Sequence, residues 1–146
     1  MSYEFIRVRS DAQWAAYHAI RKTVLFADRA YDADHLDEFL PDNHPMLLQY
    51  EGQALATVRL DFADFACTIR LVAVAVDAQG KGHGRKLYEY IEEQVLFYGV
   101  NTLRLNAAPD AVGYYEKMGF IRQIWGKADL VGIAQGCIQM VKRLLV

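Results

Sequence analysis

The chain has 146 residues, of which 53% are hydrophobic and 23% charged, a composition that excludes a disordered chain and suits one domain spanning residues 1–146 with a sizeable core. Its formal net charge of −2 excludes general nucleic-acid binding, which needs a basic surface to neutralise phosphates. No apolar run is long enough to span a bilayer and the N-terminus has charges where a signal peptide needs an apolar stretch; with two cysteines lacking metal-like spacing, the expectation is a reduced, cytoplasmic setting with no metal.

In chain order, "YEFIRVR" alternates as a first strand. Ser10 and Gln13 then form a capping-box pattern, opening a helix whose apolar face carries Trp14, Tyr17, Ile20, Val24 and Leu25 or Phe26. "RAYDADHLDEFLPDNHP" is acidic and ends in two prolines, which predicts a short helix and a loop. "MLLQYEGQALATVRLDF" reads as two strands with a hairpin turn at Glu51-Gly52-Gln53. "CTIRLVAVAV" is β-branched and apolar on both faces, hence a central buried strand. Leu87, Ile91, Val95 and Tyr98 recur at helical spacing, with Gly99 where a left-handed C-cap falls. "NTLRLNA" is a strand, "DAVGYYEKMGF" a short helix that Gly119 ends, and "FIRQIWGKADLV" and "GCIQMVKRLLV" two final antiparallel strands. The order β-α-α-β-β-β-α-β-α-β-β predicts an α/β (α+β) fold: a mixed, mostly antiparallel central sheet flanked by helices. One parallel β-α-β unit runs from Val72 to Ala107.

Between the central strand and the next helix lies "QGKGHGRK", residues 79–86. A helix N-terminus offers unpaired N–H groups and a partial positive charge, both favouring an anion. Gly80, Gly82 and Gly84 remove the Cβ atoms that would hold an anion off, and Lys81, Arg85 and Lys86 add charge. A P-loop requires a Ser or Thr after its Gly-Lys, which is absent; a dinucleotide fingerprint requires G-x-G-x-x-G, whereas this is G-x-G-x-G. Nucleotide hydrolysis and hydride transfer are therefore both disfavoured.

Gln79-Gly80-Lys81-Gly82-His83-Gly84 does fit Q/R-x-x-G-x-G/A, and "GYYEKMGF" follows at the matching distance. Together they resemble the GNAT superfamily of N-acetyltransferases over about residues 69–120. The resemblance implies acetyl-CoA as co-substrate, its diphosphate on Gln79, Gly80, Lys81, Gly82, His83, Gly84, Arg85 and Lys86, and its pantetheine arm on the main chain of Val74 and Val76 in the manner of an added strand. It implies an oxyanion donor at the N–H of Val74 or Ala75 and makes Tyr115 the catalytic acid, with Tyr114 a packing aromatic. Where relatives carry an Asn that contacts the pantetheine, this chain has Ala108, and Asn106 is the substitute. No carboxylate stands on "RLVAVAV"; Asp34, His35, Asp37, Glu38 and His44 are weak candidates for the base. Arg21, Arg59 and Arg70 either bind an acidic acceptor or pair with carboxylates, and Cys137 has no His motif beside it, so direct transfer to a primary amine is implied. Rival readings are a non-catalytic acyl-CoA-binding regulatory domain and a structural module whose loop binds nothing. A homodimer is a further expectation; nucleic acid and membrane are not expected partners.

Overall fold

The computed structural model describes residues 2–144. The elements run β1 (Tyr3–Arg7), α1 (Asp11–Val24), β2 (Asn43–Tyr50), β3 (Gln53–Ala63), β4 (Ala66–Val74), α2 (His83–Phe97), β5 (Thr102–Ala107), α3 (Val112–Lys117), β6 (Ile121–Arg122) and β7 (Ile138–Arg143). Seven strands form one sheet in the order β1-β2-β3-β4-β5-β7-β6, antiparallel throughout except for β4 with β5. This is the expected mixed, mostly antiparallel sheet with flanking helices.

Alternation along β2 shows which helix covers which face. Met46 and Leu48 join Leu87, Ile91 and Val95 of α2 in the larger core, whereas Leu47 between them packs with Tyr17 of α1. The two helices therefore lie on opposite faces of the sheet. The capping box at the start of α1 forms as expected: Ser10 Oγ accepts from Gln13 N at 3.1 Å, and Gln13 Oε1 accepts from Ser10 N at 2.9 Å. Such a cap is worth about 0.5–2 kcal/mol.

Several boundaries differ from the sequence expectation. The acidic segment holds only a 3-10 turn, Leu36–Phe39, and β2 starts before Pro45 rather than after it. Pro45 is tolerated because its carbonyl, and hence its nitrogen, faces the β1 side, where Val8 N donates to that carbonyl just past the end of β1. The β2–β3 turn is Glu51-Gly52 alone, both at positive φ (50° and 82°), with Gln53 already paired to Tyr50. Tyr98 caps α2 and is 49% exposed, resting against His44 and Phe62 rather than in the core. The penultimate strand shrinks to two residues, because Gln139 Oε1 accepts from both Trp125 N and Gly126 N and the chain then leaves the sheet in 3-10 turns at Lys127–Asp129 and Gly132–Ala134. The last strand ends at Arg143; the final two residues of the predicted strand lie outside the described residues.

Candidate active site

β4 and β5 pair only from Ala66 to Ile69 against Thr102 to Leu105. The parallel β-α-β unit is thus present, with its strands paired at their starts. Beyond this pairing β4 stays with β3 and departs from β5. The register against β3 slips between Thr57 and Arg59, opposite Leu71, whose φ is +54°. A left-handed residue with a branched side chain costs about 1–2 kcal/mol, so the surrounding contacts must hold it. Arg70 supplies them: its Nε donates to Asp61 at 2.7 Å and its two terminal nitrogens to Asp129 at 2.6 and 2.8 Å. The gap between the strands is a cleft of about 370 Å³.

The ladder decides which main-chain groups face that cleft. Ala75 N donates to Leu55 O at 2.8 Å, so Ala73 and Ala75 turn their polar groups toward β3. Val74, between them, turns its N–H and C=O to the opposite edge. Of the two oxyanion candidates, Val74 therefore has its N–H on the cleft side, whereas the N–H of Ala75 is already engaged. The Val74 carbonyl accepts from Gln79 Nε2 at 2.9 Å, tying the loop to the strand end. Val76 has left the strand and begins a 3-10 turn, Val76–Ala78.

Gly80 and Gly82 have φ of 75° and 84°, values that admit glycine at little cost. Gly82 is the N-cap of α2 and provides no capping side chain. With the first helical bond running from Lys86 N to Gly82 O, the N–H groups of His83, Gly84 and Arg85 have no intrahelical acceptor. The contrast with the capped α1 is direct. Gly84 has another reason to lack a side chain: a Cβ there would sit 3.2 Å from the Tyr114 hydroxyl. Lys81 and Arg85 are exposed at the rim. Two other side chains turn away from the loop. His83 Nδ1 hydrogen-bonds the Tyr3 hydroxyl at 2.7 Å, and Lys86 lies over the Tyr3 and Tyr90 rings while pairing with Glu89 at 3.4 Å. Their contribution at the loop is their main chain.

Tyr115 lines the cleft, and its hydroxyl meets that of Tyr88 at 2.7 Å. Burial pushes the Tyr115 phenol above its ordinary value, against a lowering by the Tyr88 hydrogen bond. Tyr88 is displaced upward further, again by burial. Tyr114 is 46% exposed and lies beside Gly84. Sequence reasoning missed Tyr88. Its position next to Leu87 on the buried side of the helix was the available signal.

Five of the remaining polar candidates, Arg21, Glu38, Arg59, Arg70 and Asn106, are joined in one network. Glu38 is 4% exposed and accepts from Arg21, Tyr17 and Arg59; Arg59 also clasps Asp61 at 2.7 and 2.9 Å. Asp61 leads to Arg70, and Asp129 to Asn106, whose amide nitrogen donates at 2.7 Å. The Asn106 oxygen accepts from Gln139 at 3.1 Å. Asn106 borders the cleft, with its amide oriented by these two partners. Guanidinium and amide bonds hold the Asp129 carboxyl below the ordinary range. Asp34, His35 and Asp37 do not line the cleft, and His44 lies at the far end of α2 against Phe62 and Tyr98. Cys137 does border the cleft, with its thiol raised by burial. Among the described residues, no group of three or more His, Cys, Asp or Glu could hold a metal ion, and no helix is long and apolar enough to cross a membrane.

A curated relative, an uncharacterized N-acetyltransferase (ycf52) of Gracilaria tenuistipitata var. liui, is 39% identical over 57 residues, covering 39% of this chain and 31% of that protein. The match thus spans about a third of the relative's length. Among solved structures, the ribosomal-protein-S18-alanine N-acetyltransferase of Escherichia coli superposes with a TM-score of 0.79 at 18% identity, over 99% of this chain and 96% of that one. The N-acetylglutamate synthase of Neisseria gonorrhoeae, solved with coenzyme A and N-acetyl-glutamate, gives 0.77 at 17% identity, over 100% of this chain and 36% of that one. At these identities the likeness is one of fold. The sequence profile described as "Acetyltransferase (GNAT) family" matches residues 10–120, three quarters of the chain, and this protein belongs to that family.

Proposed function

We propose that this protein transfers the acetyl group of acetyl-CoA directly to a primary amine. The observation that carries the reading is the course of β4: it parts from β5 beside the cleft that Tyr115 lines, then runs on through Val74 to an uncapped, glycine-opened helix N-terminus. Main-chain N–H groups at residues 82–85, with Lys81 and Arg85 at the rim, suit a diphosphate. The cleft-side edge of β4 at Val74 and the following Val76 offers main chain to an extended amide-bearing arm.

In this reading the Val74 N–H faces the carbonyl oxygen as charge develops on it. The amine nitrogen forms its bond to the carbonyl carbon, the carbon–sulfur bond breaks, and Tyr115 gives its proton to the leaving sulfur. Its raised pKa suits a donor, since the phenol stays protonated throughout the neutral range. The proton lost by the amine passes to solvent and the phenol is reprotonated from there. A cytoplasmic setting, in which Cys67 and Cys137 stay reduced, and a homodimer through the edge strand β6 belong to the same proposal.

One observation favours a non-catalytic acyl-CoA-binding domain instead: no carboxylate or imidazole is among the side chains lining the cleft. Steady-state kinetics with Tyr115→Phe, beside a CoA titration, separate the two. Thiol release with an amine is expected from the native protein, and the variant should lose about a hundredfold in kcat with CoA affinity within a factor of two. Binding without any thiol release would establish the non-catalytic reading. Equal loss of rate and affinity would make Tyr115 a packing residue.

A further inference from the structure

We propose that the acceptor is a small monoamine on an apolar carbon frame, a chain or ring with one ammonium and no second charge. The inference rests on the acetyl-transfer reading and concerns the wall of the cleft that faces away from α2. Side-chain alternation puts the α2 helix start, Tyr88 and Tyr115 on one face of the sheet, and Arg59, Arg70 and Asn106 on the other, with α1. The wall on this second face comes from the C-cap of α1, Leu25, from the β4 bulge at Leu71, and from the β6–β7 connection, Val131 and Ile133. Val131 and Ile133 are 67% and 39% exposed, apolar surface that a ligand would cover.

The charges at this wall are already spent. Arg70 is the one ionic side chain among those lining the cleft, and its Nε, Nη1 and Nη2 all donate to Asp61 or Asp129. Both oxygens of Asp129 accept in return, one of them from Asn106 as well. A carboxylate on the acceptor would have to share this half-buried guanidinium with Asp61 and Asp129, whose charges already outnumber it. A second ammonium would leave water for a wall with no free acceptor of opposite charge, and desolvating an unpaired charge is unfavourable. An apolar frame meets neither obstacle. The volume agrees: about 370 Å³ lies at the low end for small-molecule sites, and the thioester end of the donor must share it.

The test measures thiol release from acetyl-CoA with hexylamine, 2-phenylethylamine, 1,6-diaminohexane and 6-aminohexanoate, all at one pH. The first two should exceed the last two in kcat/KM by at least about tenfold, and each methylene from propylamine to hexylamine should raise kcat/KM by up to about fourfold, the factor that burial of one methylene corresponds to. Val131→Asp, a change at an exposed position, should shift the ratio of diaminohexane to hexylamine upward by at least about tenfold, as a new carboxylate pairs the second ammonium. A CoA titration of that variant reports that it is folded. If the diamine or the amino acid matches the monoamines, the acceptor class is overturned while acetyl transfer stands. An unchanged ratio in the variant overturns the wall assignment and the inference with it. If CoA binds and no amine releases thiol, the acetyl-transfer reading itself falls, and the acceptor class with it.

Discussion

His18 and His44 are held below their ordinary pKa of 6.5, in each case first by burial, with Arg21 beside His18 and Arg7 beside His44 adding to it. His44 Nδ1 is buried without a hydrogen-bond partner, and the Asp42 and Asp61 carboxylates offset only part of the desolvation on protonation. Below pH 6.5 the unfolded chain takes up protons that the folded chain resists. Stability therefore falls as pH drops from about 7 to 5. The Asp129 carboxyl, shifted down, adds its own loss only below the ordinary carboxylate range, outside that window. Urea unfolding from pH 7 to 5 should show the slope, and a His18→Gln, His44→Gln double variant should flatten it; an unchanged slope would assign it to other groups. Residue by residue, the sequence was legible where a side chain acts through its local spacing. The Ser10–Gln13 box and the three glycines stood out on that basis. It was silent on the destinations of long side chains: His83 and Lys86 read as loop residues, yet both turn to the rings of β1 and α2, contacts set by a strand 80 residues away.

Among elements, β4 matters most, because its departure from β5 makes the cleft. The bend has an identifiable cause in the Leu71 bulge and the Arg70 bonds to Asp61 and Asp129 that brace it. Asp129→Asn removes one charge from this clamp and leaves Arg70 with Asp61. A destabilisation of about 1–3 kcal/mol is expected, together with a larger fall in kcat than in CoA affinity, as the β4 edge loses its fixed position. A loss of stability with no fall in kcat beyond that of a distant surface-charge variant would make the clamp structural only. None of this was visible in "RLVAVAV", which reads as a plain buried strand. A bulge depends on what opposes it, and Asp129 is 59 residues further on. The strand expected at "FIRQIWGKADLV" failed for the same reason: Gln139 and Arg70 hold that segment by side-chain bonds that no periodicity encodes.

At the scale of the whole molecule, the order of elements was legible because hydrophobic period and turn residues mark each one, and of the two motifs resembling the GNAT family one opens α2 and the other places Tyr115 on the cleft. The face on which the acceptor wall lies was not legible, since it follows from the pairing of seven strands. In the proposed function, bare main-chain amides at the start of α2 hold the diphosphate of coenzyme A. Calorimetric titration with CoA and with pantetheine, which lacks the diphosphate, tests it on the native protein, and Gly82→Val, at φ of 84°, blocks the cradle from the protein side. CoA should bind at least about a hundredfold more tightly than pantetheine, the worth of roughly two charge-assisted hydrogen bonds, and the variant should lose that difference. No heat with CoA, or equal affinity for the two ligands in the native protein, would contradict the claim.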